Sequence, residues 1–145
     1  MASHQYTPRG VCLEIFQRRD PEILVAGPAG TGKSRACLEK LHTMCLLNPG
    51  MRGLITRKTA SSLTSTALVT WQRDVIAEAE AEGIVGFYGG SAEEPAQYRY
   101  ANGSKVMVGG MDKPIKIMSS EYDVIYVQEA TELTENDWES LTTRL

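Results

Sequence analysis

Apolar and polar positions along this chain switch between two periods, and each switch marks an element. Glu22-Ile23-Leu24-Val25-Ala26 is a short apolar run that reads as a buried strand. Beyond Gly27 the period lengthens. Cys37, Leu38, Leu41, Met44 and Cys45 recur at helical spacing from Arg35 to Leu47, and Asn48-Pro49-Gly50 is a stop signal. Gly53-Leu54-Ile55-Thr56 reads as a second strand. Leu63, Ala67, Leu68, Trp71, Val75, Ile76 and Ala79 then form one apolar stripe, which predicts a single long helix from Ser61 to Glu82 ending at Gly83. Tyr98-Arg99-Tyr100 and Lys105-Val106-Met107-Val108 flank Asn102-Gly103, the pattern of a β-hairpin. Tyr122 to Val127 is β-branched and aromatic, as in a buried strand. Thr134 and Asp137 are spaced as a capping box for a last helix through Trp138 and Leu141. Near the start, Val11 to Arg19 fits a short helix closed by Asp20-Pro21. Strands alternating with helices predict an α/β fold with a mainly parallel sheet flanked by helices and carrying a hairpin insertion.

The first turn between strand and helix carries the chemistry. Gly27-Pro28-Ala29-Gly30-Thr31-Gly32-Lys33-Ser34 fits G-x-x-x-x-G-K-[ST], the phosphate-cradling P-loop, in the strand–loop–helix context that the motif requires. Its glycines let the backbone bend round a phosphate with N–H groups inward, and the helix N-terminus adds positive potential there. Lys33 is placed to reach the β- and γ-phosphates of ATP, and the Ser34 hydroxyl to ligate Mg²⁺.

Hydrolysis also needs a group that activates water. Val124-Ile125-Tyr126-Val127 runs into Gln128-Glu129, so both the loop and this pair sit at carboxyl ends of strands, where ligands bind in such sheets. Glu129 is the candidate catalytic base. Gln128 stands where P-loop proteins often carry an aspartate; it brings no charge, and its expected role is outside the metal's own ligands, through a Mg²⁺-bound water. Asp123 cannot replace it, being five residues earlier, about 16 Å along a strand and on the opposite face.

Composition changes little. The chain has 145 residues, 42% hydrophobic and 23% charged, as in an ordinary globular protein with one core. No apolar run is long enough to span a membrane, and Met1 to Gln5 lack a secretory pattern. The three cysteines lack metal-type spacing and are expected to be reduced and mostly buried. A net charge of −3 excludes bulk attraction to nucleic acid, so any DNA contact needs a local patch; Arg52, Arg57, Lys58 and Arg73, or Arg99 and Lys105, are the candidates.

Four stretches together resemble the N-terminal ATPase domain of tailed-bacteriophage large terminases. They are the P-loop, Leu54-Ile55-Thr56-Arg57-Lys58-Thr59, Asn102-Gly103-Ser104 with Val106 and Gly109-Gly110, and Tyr122 to Ala130 with Thr131-Glu132-Leu133. The resemblance implies an additional-strand P-loop ATPase that drives double-stranded DNA into a procapsid, in the host cytoplasm. It also implies a homo-oligomeric ring on a portal protein and a small terminase subunit as partner. Carried over by position, Gly27 to Ser34 bind nucleotide and Mg²⁺, and Glu129 activates water. Tyr6 to Arg9 and Gln17 resemble the segment that contacts adenine, which makes Tyr6 and Arg9 candidate nucleotide contacts. Arg57, Arg99 and Arg144 are candidates for an arginine that stabilises transition-state charge. The family's coupling motif and nuclease carboxylates have no counterpart in residues 1–145, so the expected domain is C-terminally truncated and not a nuclease. Two alternatives stand beside this reading: another P-loop DNA motor of helicase or recombination type, and a non-catalytic nucleotide-binding or assembly module.

Overall fold

The computed structural model describes residues 4–27 and 32–145, without the side chains of Ile115 and Lys116. The sheet has five strands in the order β2-β3-β4-β1-β5. These are β1 (Arg52–Arg57), β2 (Val85–Tyr88), β3 (Gln97–Tyr100), β4 (Lys105–Gly110) and β5 (Val124–Val127). β1 lies between β4 and β5, parallel to both; β3 pairs antiparallel with β4, and β2 antiparallel with β3. The hairpin read from sequence is therefore not an appendage. Its second strand is the parallel neighbour of β1, and it carries the sheet outward through β3 to β2.

One sheet face is covered by α2 (Lys33–Leu47) and by the chain from α3 (Ala60–Ser65) through α4 (Ala67–Thr70) to α5 (Ala77–Ala81). The other face packs against α6 (Pro114–Ile117) and α7 (Glu135–Thr142), through Leu54, Met107, Ile117, Tyr122 and Leu141. α1 (Val11–Gln17) sits against α2 through Cys12, Ile15 and Ala36. The Thr134–Asp137 capping box is formed in both directions. Among the described residues, no helix is long and apolar enough to cross a membrane.

Gly109 and Gly110 mark close approaches at the end of β4. A Cβ on Gly110 would lie 2.2 Å from the Ala60 nitrogen, and one on Gly109 would lie 2.8 Å from Ile117. The hairpin turn also closes α2. Ser104 Oγ lies within hydrogen-bond distance of the Cys45 and Asn48 carbonyls, at 3.0 and 2.9 Å, and Asn102 Nδ2 donates to Cys45 O at 2.8 Å. These carbonyls lie at the helix end, where intrahelical partners run out.

Two expectations need correction, and one strand has no counterpart among them. The strand expected at Glu22–Ala26 is not formed: residues 22–27 join no ladder and Leu24 is 83% exposed. An apolar run becomes a strand only when a neighbouring edge receives its hydrogen bonds. The helix expected from Ser61 to Glu82 is broken at Thr66 (φ −128°, ψ −87°) and again at Ile76, with a π-helical turn at Trp71–Val75 between them. Thr64, Ser65 and Thr66 hydroxyls bond carbonyls three or four residues back, a competition that bends helices. The π turn keeps Trp71 fully buried, edge-on to Tyr98 at 5.9 Å. Finally, β2 was not expected. Its signal is Val85, Phe87 and Tyr88 between Gly83 and Gly89-Gly90, too short a run to show alternation.

Candidate functional site

α2 opens on Gly32, which is left-handed at φ 77°, ψ 15° and, among the described residues, takes no side-chain cap. Only glycine adopts this conformation without strain, so the residue before Lys33 is constrained by geometry and not by chance. Pro28, Ala29, Gly30 and Thr31 of the motif lie outside the described residues. On either side of them, the Lys33 ammonium donates to the Gly27 carbonyl, drawing the two ends of the loop together. Ser34, half-buried one residue on, lies close enough to the Tyr126 hydroxyl to act against the rise of its pKa. Burial pushes that phenol up to about 12, against the opposing effect of Ser34, so it stays protonated.

This approach joins the start of α2 to the end of β5. Tyr126 lies in β5, and Gln128 and Glu129 follow it. Alternation puts Gln128 on the same sheet face as Tyr126, the α2 face. The ladder runs on past Val127, since Gln128 N donates to Thr56 O at 3.0 Å. Gln128 is buried, 8% exposed, while Glu129 is exposed. Among the described residues, Glu129 is the only non-glycine with positive φ (52°). It starts the 3₁₀ turn Ala130–Glu132, with Glu132 N donating to its carbonyl. A left-handed glutamate costs energy that a packed site tends to retain only for a purpose.

Arg57, at the end of β1, is the candidate arginine that reaches this corner. Its guanidinium is paired with Glu132 (Nε to Oε1, 2.8 Å) and donates to Thr66 Oγ1 at 3.0 Å. The hydrogen bond from Arg57 holds the Glu132 carboxyl below its ordinary range. Arg99 instead lies over the Tyr88 ring at 4.0 Å and pairs with Glu94, and the Arg144 carbonyl accepts from Tyr122 N. Asp123 accepts from Arg52 N at 2.9 Å, at the opposite end of β5 from Gln128.

Tyr6 and Arg9 lie in the turn before α1. The Tyr6 ring tilts against Phe16 at 5.7 Å, and Arg35 of α2 stands over it at 5.2 Å. Tyr6 is thus held beside the first turn of α2, and burial raises its phenol. Arg9 is exposed, its carbonyl accepting from Cys12 N. The basic patch drawn from sequence is not one patch. Arg52 and Lys105 pair in register at the start of β1 and β4, whereas Arg57 and Lys58 are at the far end, about 16 Å away. Arg57, Lys58, Arg73 and Arg99 each have a carboxylate partner. The thiols of Cys37 and Cys45 are pushed up by burial to about 11 and about 12, and stay protonated.

Comparison with solved structures aligns 97% of the chain with the large terminase ATPase domain of Thermus phage P74-26, at TM-score 0.75 and 18% identity. The fold is that of a phage large-terminase ATPase domain. A mutant of the same Thermus phage domain aligns over 96% of this chain at TM-score 0.69 and 18% identity. The large terminase of a thermophilic bacteriophage aligns over 81% at TM-score 0.63 and 13% identity. The chain spans 61% and 62% of the two ATPase-domain chains and 29% of the whole terminase. No family model matches the chain, and no curated protein matches its sequence. The terminase fold thus rests on shape, and the sequence supplies the phosphate-loop motif and the Gln128-Glu129 pair.

Sequence reasoning missed two residues here. Thr66 falls inside the stripe that predicts one long helix, and no periodicity marks a helix break. Tyr126 was read as core, although an aromatic two residues before a strand-end polar pair shares its face.

Proposed function

We propose that the chain is the P-loop ATPase domain of a phage large terminase, an Mg²⁺-dependent ATPase that drives double-stranded DNA into a procapsid. On this reading residues 1–145 belong to one P-loop ATPase domain. The domain works in the host cytoplasm as a ring of copies on a portal protein, with a small terminase subunit delivering DNA. The observation that carries the proposal is the approach of Ser34, in the first turn of α2, to Tyr126 near the end of β5, in a fold shared with terminase ATPase domains.

The residues fit a magnesium nucleotide. Gly32 opens α2 without a side-chain cap among the described residues, which suits first-turn N–H groups to an anion. The donors nearby are the oxygens of Ser34, Gln128 and Glu129, the hard ligands and hydrogen-bond partners that Mg²⁺ and its waters prefer. When bound, Mg²⁺ offsets phosphate charge and orients the chain of phosphates. Lys33 leaves the Gly27 carbonyl to bind phosphate oxygens. Ser34 would direct its hydroxyl hydrogen toward the Tyr126 oxygen, leaving its lone pairs free to hold the metal. Glu129 takes the proton of the attacking water, and Gln128 holds a water at its carboxamide.

Titration with a fluorescent ATP analogue and Mg²⁺ tests the cradle. The chain should bind, and Lys33→Ala should weaken binding at least about tenfold, the loss of one charge-assisted phosphate contact. Equal affinity in both proteins would contradict the assignment.

A further inference from the structure

Thr66 Oγ1 has three partners within hydrogen-bond distance. They are the Ser62 carbonyl at 2.6 Å, the Gln128 carboxamide at 2.8 Å and Arg57 Nη1 at 3.0 Å. A hydroxyl has one proton and two lone pairs. Arg57 only donates, so it occupies a lone pair. The Ser62 carbonyl only accepts, and at 2.6 Å it takes the proton. One lone pair remains, and it faces the carboxamide. With Gln128 Oε1 turned to Thr66, two acceptors would compete for a single proton. A half-turn of the carboxamide places its NH₂ at the same position and satisfies all four groups. The carbonyl oxygen of Gln128 then points away from Thr66.

We infer that Thr66, held by Arg57, is the positioning residue that turns the Gln128 carboxamide so that its oxygen serves the nucleotide site. The inference rests on the proposed function and adds to it how a neutral residue acts next to Glu129. The arrangement supplies a fixed acceptor for a water on the cation, without the charge of an aspartate. It also explains the geometry around it. The helix break at Thr66 brings the hydroxyl to the sheet, and the Arg57–Glu132 pair fastens the arginine to the 3₁₀ turn that follows Glu129.

The test uses the whole chain, with Thr66→Val, which removes the hydroxyl at nearly constant shape, and Thr66→Ser, which keeps it. The first readout needs no nucleotide: the side-chain amide protons of Gln128 in NMR spectra. In the parent they should be slow to exchange and show a nuclear Overhauser contact to Thr66. Fast exchange without that contact in the parent overturns the inference, whatever the variants do. In Thr66→Val the amide should become solvent-like and the turnover number should fall roughly tenfold, the usual scale for an outer hydrogen-bond partner, with nucleotide affinity within about twofold of the parent. Thr66→Ser should restore both. An unchanged Gln128 amide in the valine variant, or no rescue by serine, overturns the inference. A parent chain that shows the amide contact but never turns over ATP would contradict the proposed function and leave the Thr66–Gln128 assignment standing.

Discussion

The Tyr126 hydroxyl lies beside Ser34, so the last residues of β5 meet the first turn of α2 at one point. Tyr126→Phe removes only that oxygen. Mg²⁺-dependent nucleotide affinity should fall about fivefold, since Ser34 loses the polar neighbour that orients it and such a polar interaction is worth about 1 kcal/mol. Affinity without Mg²⁺ should stay unchanged. Calorimetric titration with and without the metal checks this, and an equal loss in both conditions would mean that the contact serves packing alone.

Glu129 carries a second prediction through its backbone. A left-handed non-glycine stores on the order of 1 kcal/mol, which glycine releases. Glu129→Gly should therefore raise the unfolding free energy by about 1 kcal/mol while abolishing turnover. Urea denaturation measures the first effect and phosphate release the second. A variant that is less stable than the parent would show that the strain is not there.

His42, on α2 and 4% exposed, lies next to Tyr100 (Nδ1 to the phenol, 2.7 Å). Burial, with a smaller effect from His4, lowers it from 6.5 to about 4. The folded state therefore binds this proton less readily than the unfolded state. Its contribution is fully present above about pH 6.5 and is lost as pH falls toward 4, to a total of about 3 kcal/mol. Glu39, raised by burial and paired with His4 at 2.6 Å, works in the opposite direction, so the comparison must be with a variant. The stability difference between the parent and His42→Gln should shrink by about 3 kcal/mol between pH 7 and pH 4. A constant difference would contradict a neutral, buried His42.

Most of the frame was legible in the sequence, for physical reasons that differ by element. β1 and β5 are apolar runs that an adjacent parallel strand receives. The hairpin is written in Asn102-Gly103, and α7 in its capping box. The unread parts depend on neighbours. Ile23 and Leu24 look like a strand, but a ladder needs an edge, and residues 22–27 find none. The apolar stripe from Leu63 to Ala79 is real, since Leu63, Ala67, Trp71, Val75 and Ile76 are all buried, but hydroxyl-to-carbonyl bonds and the seat of Trp71 break the helix that carries it. At the site, the motif gave Lys33, Ser34 and Glu129. It did not give Thr66 or Tyr126, because their roles arise from which side chains the sheet sets side by side.

The central claim is that Glu129 activates water at a nucleotide held by α2. Its most direct test is ATP turnover in the parent and in Glu129→Gln, with nucleotide affinity measured in parallel. The account predicts that the variant keeps its affinity within about twofold and loses turnover by at least about a hundredfold, the contribution of a positioned general base. Turnover preserved in Glu129→Gln would contradict it.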